Sequence, residues 1–199
     1  MKSKQVSEKL GPAFNRLFSA SVISNLSDGL LAVAAPLLAI SLTKDPVLIS
    51  MLSAFVMLPW LLFAIPIGLI VDRSNKRLLI TLTNSIRFIT AGLVALAIST
   101  DTITIYWLLL ATFLIGTCEV ATDTAAQSLI PVILEKKNFE KANSRMNIAE
   151  TVIQNFIGAP LSGFLYATAI VLPFILNSLG FLIAAIFVFM IPAHLISQG

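Results

Sequence analysis

Few residues of the sequence carry a charge: Asp, Glu, Lys and Arg make up only 12% of the 199 residues, whereas soluble domains contain about 25%. The mean hydropathy is correspondingly high, at +0.94. This composition excludes an ordinary soluble enzyme and a disordered chain. It also excludes a nucleic-acid-binding protein, because the net charge is only +3 even though the isoelectric point is near 9.2.

The sequence also lacks the residue patterns that catalysis or metal binding requires. Cys118 is the only cysteine, so no internal disulfide can form. No His-Glu-x-x-His motif, phosphate-binding glycine loop or metal-binding spacing of Cys and His occurs. We therefore expect the protein not to be an enzyme, and we expect neither a cofactor nor a metal site.

The end of the sequence has no charge at all. No Asp, Glu, Lys or Arg occurs in the last 49 residues, from Thr151 to Gly199. A single helix of that length would measure about 73 Å at roughly 1.5 Å per residue, whereas the apolar core of a bilayer is about 30 Å thick. We therefore expect this stretch to turn once and to cross a membrane twice.

Apolar runs of spanning length recur along the whole sequence and are separated by short breaks, most of them polar. They predict an all-α integral membrane protein with six transmembrane helices, at about Phe14–Leu42, Val47–Val71, Leu78–Thr100, Ile103–Ile133, Asn138–Ala167 and Ile170–Leu195. We expect the fourth helix to leave the membrane near Asp123 and to bend or stop before Pro131, because proline disrupts helical hydrogen bonding.

The basic residues divide unevenly between the two sides of this arrangement. Eleven of the 13 fall on one side: Lys2, Lys4, Lys9, Arg16, Arg73, Lys76, Arg77, Lys136, Lys137, Lys141 and Arg145. Lys44 falls on the other side, and Arg87 lies within a helix. Because basic residues concentrate in cytoplasmic loops, we expect a multi-pass protein of the cell (plasma) membrane with cytoplasmic termini, formed by residues 1–13 and 196–199.

Similar segments recur in the two parts of the transmembrane region 14–195. Asn84–Ala91 and Asn177–Ala184 are offset by 93 residues and share four identities in eight positions. Further pairs at offsets of 94 and 95 residues are Pro66 with Pro160, Asp28 with Asp123, and Pro36 with Pro131. These pairs predict two three-helix repeat units, at about 14–100 and 103–195. An odd number of crossings in each unit makes the second unit inverted, as in many secondary transporters.

Asp28 is an acidic residue within the first predicted span. It lies 12 residues beyond Arg16, which places it about 18 Å into the bilayer. A charged Asp at mid-depth costs about 2.5–3.5 kcal/mol, so we expect Asp28 to face a cavity. A carboxylate there could exchange a proton for a cationic substrate, and the alternative is a structural hydrogen-bonding site next to Asn25.

Arg87 in the third helix and Glu119 in the fourth lie at depths that differ by about 8 Å. Asp123 follows Glu119 by one helical turn and should reach the inner interface. We predict that Arg87 pairs with Glu119 or Asp123. The pair would either gate or couple transport, or form a static buried ion pair.

The segment 68–77, GLIVDRSNKR, resembles the cytoplasmic signature G-x-x-x-D-R-x-G-R/K-R of the major facilitator superfamily. The matching positions are Gly68, Asp72, Arg73, Lys76 and Arg77. Asn75 stands where the signature usually has glycine. The resemblance implies a contact that holds one face closed and releases it during transport, with Gly68 allowing a close helix approach. Asp72, at the end of a helix, needs compensation from Arg73, Arg77 or the positive N-terminus of another helix. The alternative is a simple positive-inside anchor.

Two further segments carry the resemblance. Residues 24–29, SNLSDG, look like the first helix of the efflux branch that includes enterobactin-exporter-like and macrolide-efflux-like proteins. Residues 158–163, GAPLSG, are similar to the antiporter signature of the fifth helix, through Gly158, Pro160 and Gly163. These three residues are expected to form a close-packed, bent interface, or alternatively an ordinary membrane-helix kink.

The resemblance implies one six-helix half of a twelve-helix major facilitator fold. It further implies efflux of a small amphipathic or cationic solute, drug- or siderophore-like, by proton antiport and alternating access. The expected partners are the lipid bilayer, the solute, protons, and a second six-helix half or a second copy, because one half alone is expected to be inactive. The alternative is a non-transporting interaction or regulatory protein that pairs with a full-length transporter.

Overall fold

A computed structural model describes residues 10–192, which are almost entirely helical. The long helices are α1 (Gly11–Leu42), α2 (Pro46–Arg73), α3 (Lys76–Ser99) and α4 (Ile105–Ile133). After a 3₁₀ turn (Lys136–Asn138) follow α5 (Phe139–Ile148), a π-helical segment (Ala149–Gly158), α6 (Ala159–Thr168) and α7 (Leu172–Phe189). Because α5, the π-helical segment and α6 follow one another without a break, we call residues 139–168 the segmented helix.

The short breaks between helices are set by capping residues. Asp45 accepts a hydrogen bond from the Val47 amide at 2.9 Å and begins α2. The side chain of Asn75 accepts one from the Leu78 amide at 3.2 Å and begins α3. Such caps satisfy amide groups that have no partner within the helix, so the polar breaks of the sequence become sharp turns between long apolar helices.

The apolar core forms two clusters at opposite ends of the helices. One cluster joins the start of α1, the end of α2, the start of α3, the end of α4, α5 and the end of α7, through Phe14, Val71, Ile80, Leu129, Ala142 and Val188. The other joins the remaining ends, through Leu38, Leu52, Val94, Leu108 and Phe174, with Tyr166 of α6 packed against it. The helices therefore alternate in direction, and the segmented helix runs the full distance between the clusters.

Six helical crossings result, as the sequence predicted. Five of them, α1–α4 and α7, are individually long and apolar enough to span a bilayer, and the segmented helix is the sixth crossing. Helix α4 continues through Pro131 to Ile133, so the prediction that it would stop before Pro131 is wrong. Pro131 has no amide hydrogen for the carbonyl of Gln127, four residues earlier, and membrane helices tolerate the loss of one such hydrogen bond.

The described basic residues outside the core lie at the end of the bundle that contains Phe14 and Val71, with the exception of Lys44 at the other end. We call these the basic end and the opposite end. Lys2, Lys4, Lys9 and the predicted C-terminal segment 196–199 lie outside the described residues.

The packing of the helices has the symmetry of an inverted repeat. Helix α1 packs on α7 and on the segmented helix, whereas α4 packs on α3 and on α2. The exchange of the two units replaces α1 by α4, α2 by the segmented helix and α3 by α7. It converts the contacts of α1 into those of α4, and it leaves the contact between α3 and α7 unchanged. The predicted arrangement of three plus three helices as an inverted repeat is therefore present.

Candidate functional site

The centre of the bundle contains a buried ion pair between α1 and α3. A guanidinium nitrogen of Arg87 (Nη2) contacts Oδ1 of Asp28, and the side chains are 0% and 7% exposed. The other terminal nitrogen of Arg87 donates a hydrogen bond to Ser24 Oγ at 3.0 Å. The guanidinium carbon lies 3.9 Å from the centre of the Phe181 ring on α7, a cation–π distance. Three neighbours therefore hold the Arg87 side chain in place.

The prediction that Arg87 pairs with Glu119 or Asp123 is wrong. It was based on depth in the membrane, and depth does not specify which side of a helix faces which neighbour. Ser24 and Asp28 are four residues apart, so they lie on the same side of α1, and that side faces Arg87. The expectation that Asp28 faces a cavity is nevertheless correct, because Asp28 lines a cavity of about 310 Å³.

Two open cavities lie on either side of this ion pair. The larger, about 490 Å³, is at the basic end between α1, α4 and the segmented helix. Its polar lining includes Ser24, Asn25, Asn84, Asp123, Gln127 and Glu150. The smaller, about 310 Å³, is at the opposite end between α1, α2 and α4, and its polar lining includes Asp28, Ser53, Thr112, Glu119 and Gln154. We call them the basic-end cavity and the opposite-end cavity.

Arg87 connects the linings of the two cavities. Arg87 donates a hydrogen bond to Ser24, which lines the basic-end cavity. It also forms the ion pair with Asp28, which lines the opposite-end cavity. Asn25 does not belong to the Asp28 cluster, because its amide donates to Ser21 Oγ at 3.1 Å and it lines the basic-end cavity. The ion pair thus forms part of the wall between the two cavities.

The residues around Asp28 are fixed by close contacts of α1 with two other helices. A Cβ atom at Gly158 would lie 2.9 Å from the Leu26 carbonyl oxygen and 3.0 Å from Gly29 Cα, so the two backbones touch. Ser162 Oγ donates to the Leu30 carbonyl, and Asn177 Nδ2 donates to the Ser27 carbonyl, each at 2.6 Å. These contacts hold α1 on both sides of Asp28.

The antiporter-like residues are placed differently from one another. Gly158 makes the backbone contact with α1, at the end of the π-helical segment. Pro160 follows directly, in the first turn of α6. Gly163 has no atom of the described residues within 4 Å of its Cβ position. Of the three, only Gly158 is required for close packing within the described part of the chain.

The loop-signature residues form a different set of contacts from the one expected. Arg77 donates to the Phe189 carbonyl and lies 4.8 Å from the centre of its ring. Arg16 donates to the Met190 carbonyl at 2.6 Å. Two arginines therefore cap the end of α7, where helical carbonyls favour positive charge. Arg77 is thus committed to α7, and the expectation that it compensates Asp72 finds no support in these contacts.

Gly68 provides no close helix contact within the described residues, because no atom lies within 4 Å of its Cβ position. The reason is that α2 packs mainly on α4 and leaves its other sides exposed. Arg73 ends α2 and Lys76 begins α3, so both lie in the loop at the basic end.

Sequence reasoning missed several residues of the site. Phe181, which stacks on Arg87, and Asn84, which lines the basic-end cavity, both lie in the repeated segments that the sequence identified. A polar amide in the middle of a membrane helix is itself a signal of function, and this signal could have pointed to Asn84. Glu150 had no such signal, because its place in the cavity depends on how the segmented helix packs.

Comparison with known families gives a match. The family model described as Major Facilitator Superfamily matches residues 17–198. Searches of curated proteins and of solved structures find no match. The match covers nearly the whole chain and agrees with the inverted repeat of the fold, so the chain belongs to the major facilitator superfamily.

Proposed function

We propose that this transporter chain exports a small amphipathic or cationic solute, drug- or siderophore-like, in exchange for protons. Membership of the superfamily makes it a transporter of solutes across a membrane. The observation that carries the finer proposal is the Arg87–Asp28 pair, which lies between cavities at opposite ends of the bundle. Alternating access needs a barrier of this kind, closed between two cavities that face opposite sides.

The chemistry of the pair supports proton coupling. Removing one partner of a buried ion pair leaves an uncompensated charge, which costs about 3–5 kcal/mol. Protonation of Asp28 removes one charge and frees Arg87 to exchange partners, so the barrier responds to proton binding. Glu119 lines the same cavity as Asp28 and provides a second carboxylate close to this route.

The charge distribution supports an orientation in the cell membrane. Basic residues favour cytoplasmic loops, so we place the basic end, and with it the segments 1–13 and 196–199, in the cytoplasm. The loop signature, with Gly68, Asp72, Arg73 and Lys76, then lies on the cytoplasmic side. There it has the role that the resemblance implies, holding one face of the transporter closed.

Exposed apolar surfaces support a second six-helix half, or a second copy of the chain, as partner. Only 17% of the most apolar stretch of α2 is buried, compared with 61% for α4. Leu61 and Ile65 of α2 and Phe156 and Phe164 of the segmented helix are each more than two-thirds exposed. These helices flank the cavities, so a partner bound there would complete the enclosure of the solute. The same surface would serve a non-transporting protein that regulates a longer transporter.

Uptake of ethidium into vesicles tests the proposal. The chain is reconstituted alone into vesicles with an acidic interior, and Asp28→Asn is compared with Glu140→Gln, which removes an exposed carboxylate at the basic end. Uptake that is lost in Asp28→Asn and kept in Glu140→Gln supports the transporter. No uptake by the unaltered chain overturns transport by this chain alone, and co-purification with a longer family member then supports the regulatory alternative.

A further inference from the structure

We infer that Asp123 anchors a binding site for an organic ammonium ion in the basic-end cavity, formed together with Glu150 and Asn84. The inference names the substrate class and a specific site within this chain, and it rests on the proposed function. Three observations carry it: the broken symmetry of the repeat, the charge of the cavity lining, and a buried oxygen without a partner.

The repeat relates Asp123 to Asp28. The two residues are offset by 95 positions, and each lies in the second half of the first helix of its unit. Asp28 lines the opposite-end cavity and Asp123 lines the basic-end cavity, as the exchange of the two units requires. The fold therefore gives the two carboxylates equivalent positions, each facing a cavity at one end.

The counter-ion of Asp28 has no equivalent in the second repeat unit. Arg87, which pairs with Asp28, corresponds to Gly180 in the repeated segments. The backbone of α7 is so close to α1 at this point that a Cβ atom on Gly180 would overlap the Ser27 hydroxyl. An arginine therefore has no room at the equivalent position, and between residues 10 and 192 no cation forms an ion pair with Asp123 as Arg87 does with Asp28.

The lining of the basic-end cavity is acidic. Asp123 and Glu150 both line it, and none of its described lining residues is Lys, Arg or His. Two carboxylates in a cavity that excludes part of the surrounding water attract a cation more strongly than they would in bulk solvent. A cationic ligand can therefore supply the positive charge that the described lining does not provide for these two carboxylates.

Asn84 provides an independent indication of a ligand. Its side chain is buried, with 1% exposure, and lines the same cavity. Its amide nitrogen donates to the Ile80 carbonyl at 3.0 Å, whereas its oxygen Oδ1 has no partner among the described residues. Buried polar atoms are rarely left without a hydrogen bond, so Oδ1 is an acceptor available for a donor within the cavity.

The combination favours an organic ammonium over a metal ion. An ammonium group has three N–H donors, which suit two carboxylates and one amide oxygen. No group of three or more His, Cys, Asp or Glu residues suitable for a metal occurs between residues 10 and 192. The volume of about 490 Å³ suits a small organic molecule, and Leu17, Ile130 and Val188 offer apolar surface for its body.

Binding of 2-phenylethylammonium to the intact chain tests this site. The chain is held in nanodiscs of uncharged phosphatidylcholine, and affinity is measured by calorimetry against 2-phenylethanol, which has the same shape without the charge. We expect the ammonium to bind at least about tenfold more tightly than the alcohol, since hydrogen bonds to charged groups contribute about 1.5–3 kcal/mol. Equal affinity for the two compounds overturns the inference.

Two variants locate the site. Asp123→Asn should weaken ammonium binding by about tenfold or more, whereas Glu140→Gln, an exposed carboxylate at the same end, should leave it unchanged. Gln127→Lys should also abolish binding, because a lysine four residues after Asp123 supplies the missing counter-ion within the helix. Gln127 is exposed, so this change tests the site without altering the core.

The outcomes separate this inference from the proposed function. Binding that is insensitive to both Asp123→Asn and Gln127→Lys overturns the site. If the ammonium binds as expected but ethidium uptake is absent, the result supports the ammonium site and overturns transport by this chain alone. If ethidium uptake is present but the ammonium does not bind, the result supports the transporter and overturns the ammonium site.

Discussion

The two cavities that flank the ion pair have equivalent positions in the fold but different chemistry. The opposite-end cavity is mostly apolar, and one of its two carboxylates, Asp28, is neutralised by Arg87. The basic-end cavity is lined by amides, hydroxyls and two carboxylates, and Asp123 has Gly180 where the repeat would place a counter-ion. An inverted repeat copies backbone geometry, whereas the charge balance of each copy is set by individual residues.

The largest expected effect concerns which side of the membrane each cavity faces. Ser53→Cys lies in the opposite-end cavity and Gln127→Cys in the basic-end cavity, and both positions are exposed. The native Cys118 is buried, so it gives little background. A membrane-impermeant maleimide should label each new cysteine from one side only, and from opposite sides, because each cavity is open at its own end. Labelling of both from the same side would contradict the comparison.

The next largest effect is a loss of stability when the ion pair between Arg87 and Asp28 is broken. Arg87→Met should lower the free energy of unfolding by about 3–5 kcal/mol, because it leaves Asp28 buried without its counter-ion. The measurement is unfolding in detergent by titration with dodecyl sulfate.

Adding Asp28→Asn to Arg87→Met should restore part of that stability, because coupled residues are not additive. The exchange Arg87→Glu with Glu119→Arg should give no such rescue. A recovery in the exchanged variant would reject the Asp28 pairing in favour of Glu119.

A smaller effect concerns the backbone contact that holds α1 next to Asp28. Gly29→Ala should destabilise the chain by about 1–3 kcal/mol, since an added methyl group overlaps the segmented helix. Gly163→Ala is the matched control, because its Cβ position is open, and its effect should stay within about 0.5 kcal/mol. The same unfolding titration measures both, and equal losses would show that the contact at Gly29 is not specific.

The smallest expected effect compares two equivalent residues of the repeat. Asn177 donates to α1 at the Ser27 carbonyl, whereas Asn84 donates to Ile80 within its own helix. Asn177→Leu should therefore cost more than Asn84→Leu, by about 0.6 kcal/mol, the average for a hydrogen bond between membrane helices. Unfolding free energies of both variants check this, and a larger loss for Asn84→Leu would reverse the assignment.

The sequence identified many residues of the site but predicted few of the contacts between them. Asp28, Arg87 and Asp123 stood out because charges are costly inside a membrane, and all three contribute to the cavity region. The partner of Arg87 was predicted wrongly, because distance along the membrane normal is a one-dimensional measure. Gly68 and Gly158 looked equally suited to close packing, yet only Gly158 touches another backbone among the described residues.

The sequence by itself determined the class of protein, the six crossings and the distribution of basic residues, because each depends on local length and composition measured against the thickness of a bilayer. It also revealed the repeat, since related segments keep recognisable residues. Only the tertiary structure decided that Arg87 meets Asp28, that Arg77 caps α7 and that Gly180 leaves no room for a second arginine. Those contacts depend on the rotation of each helix about its axis, which is set by packing between residues far apart in the chain.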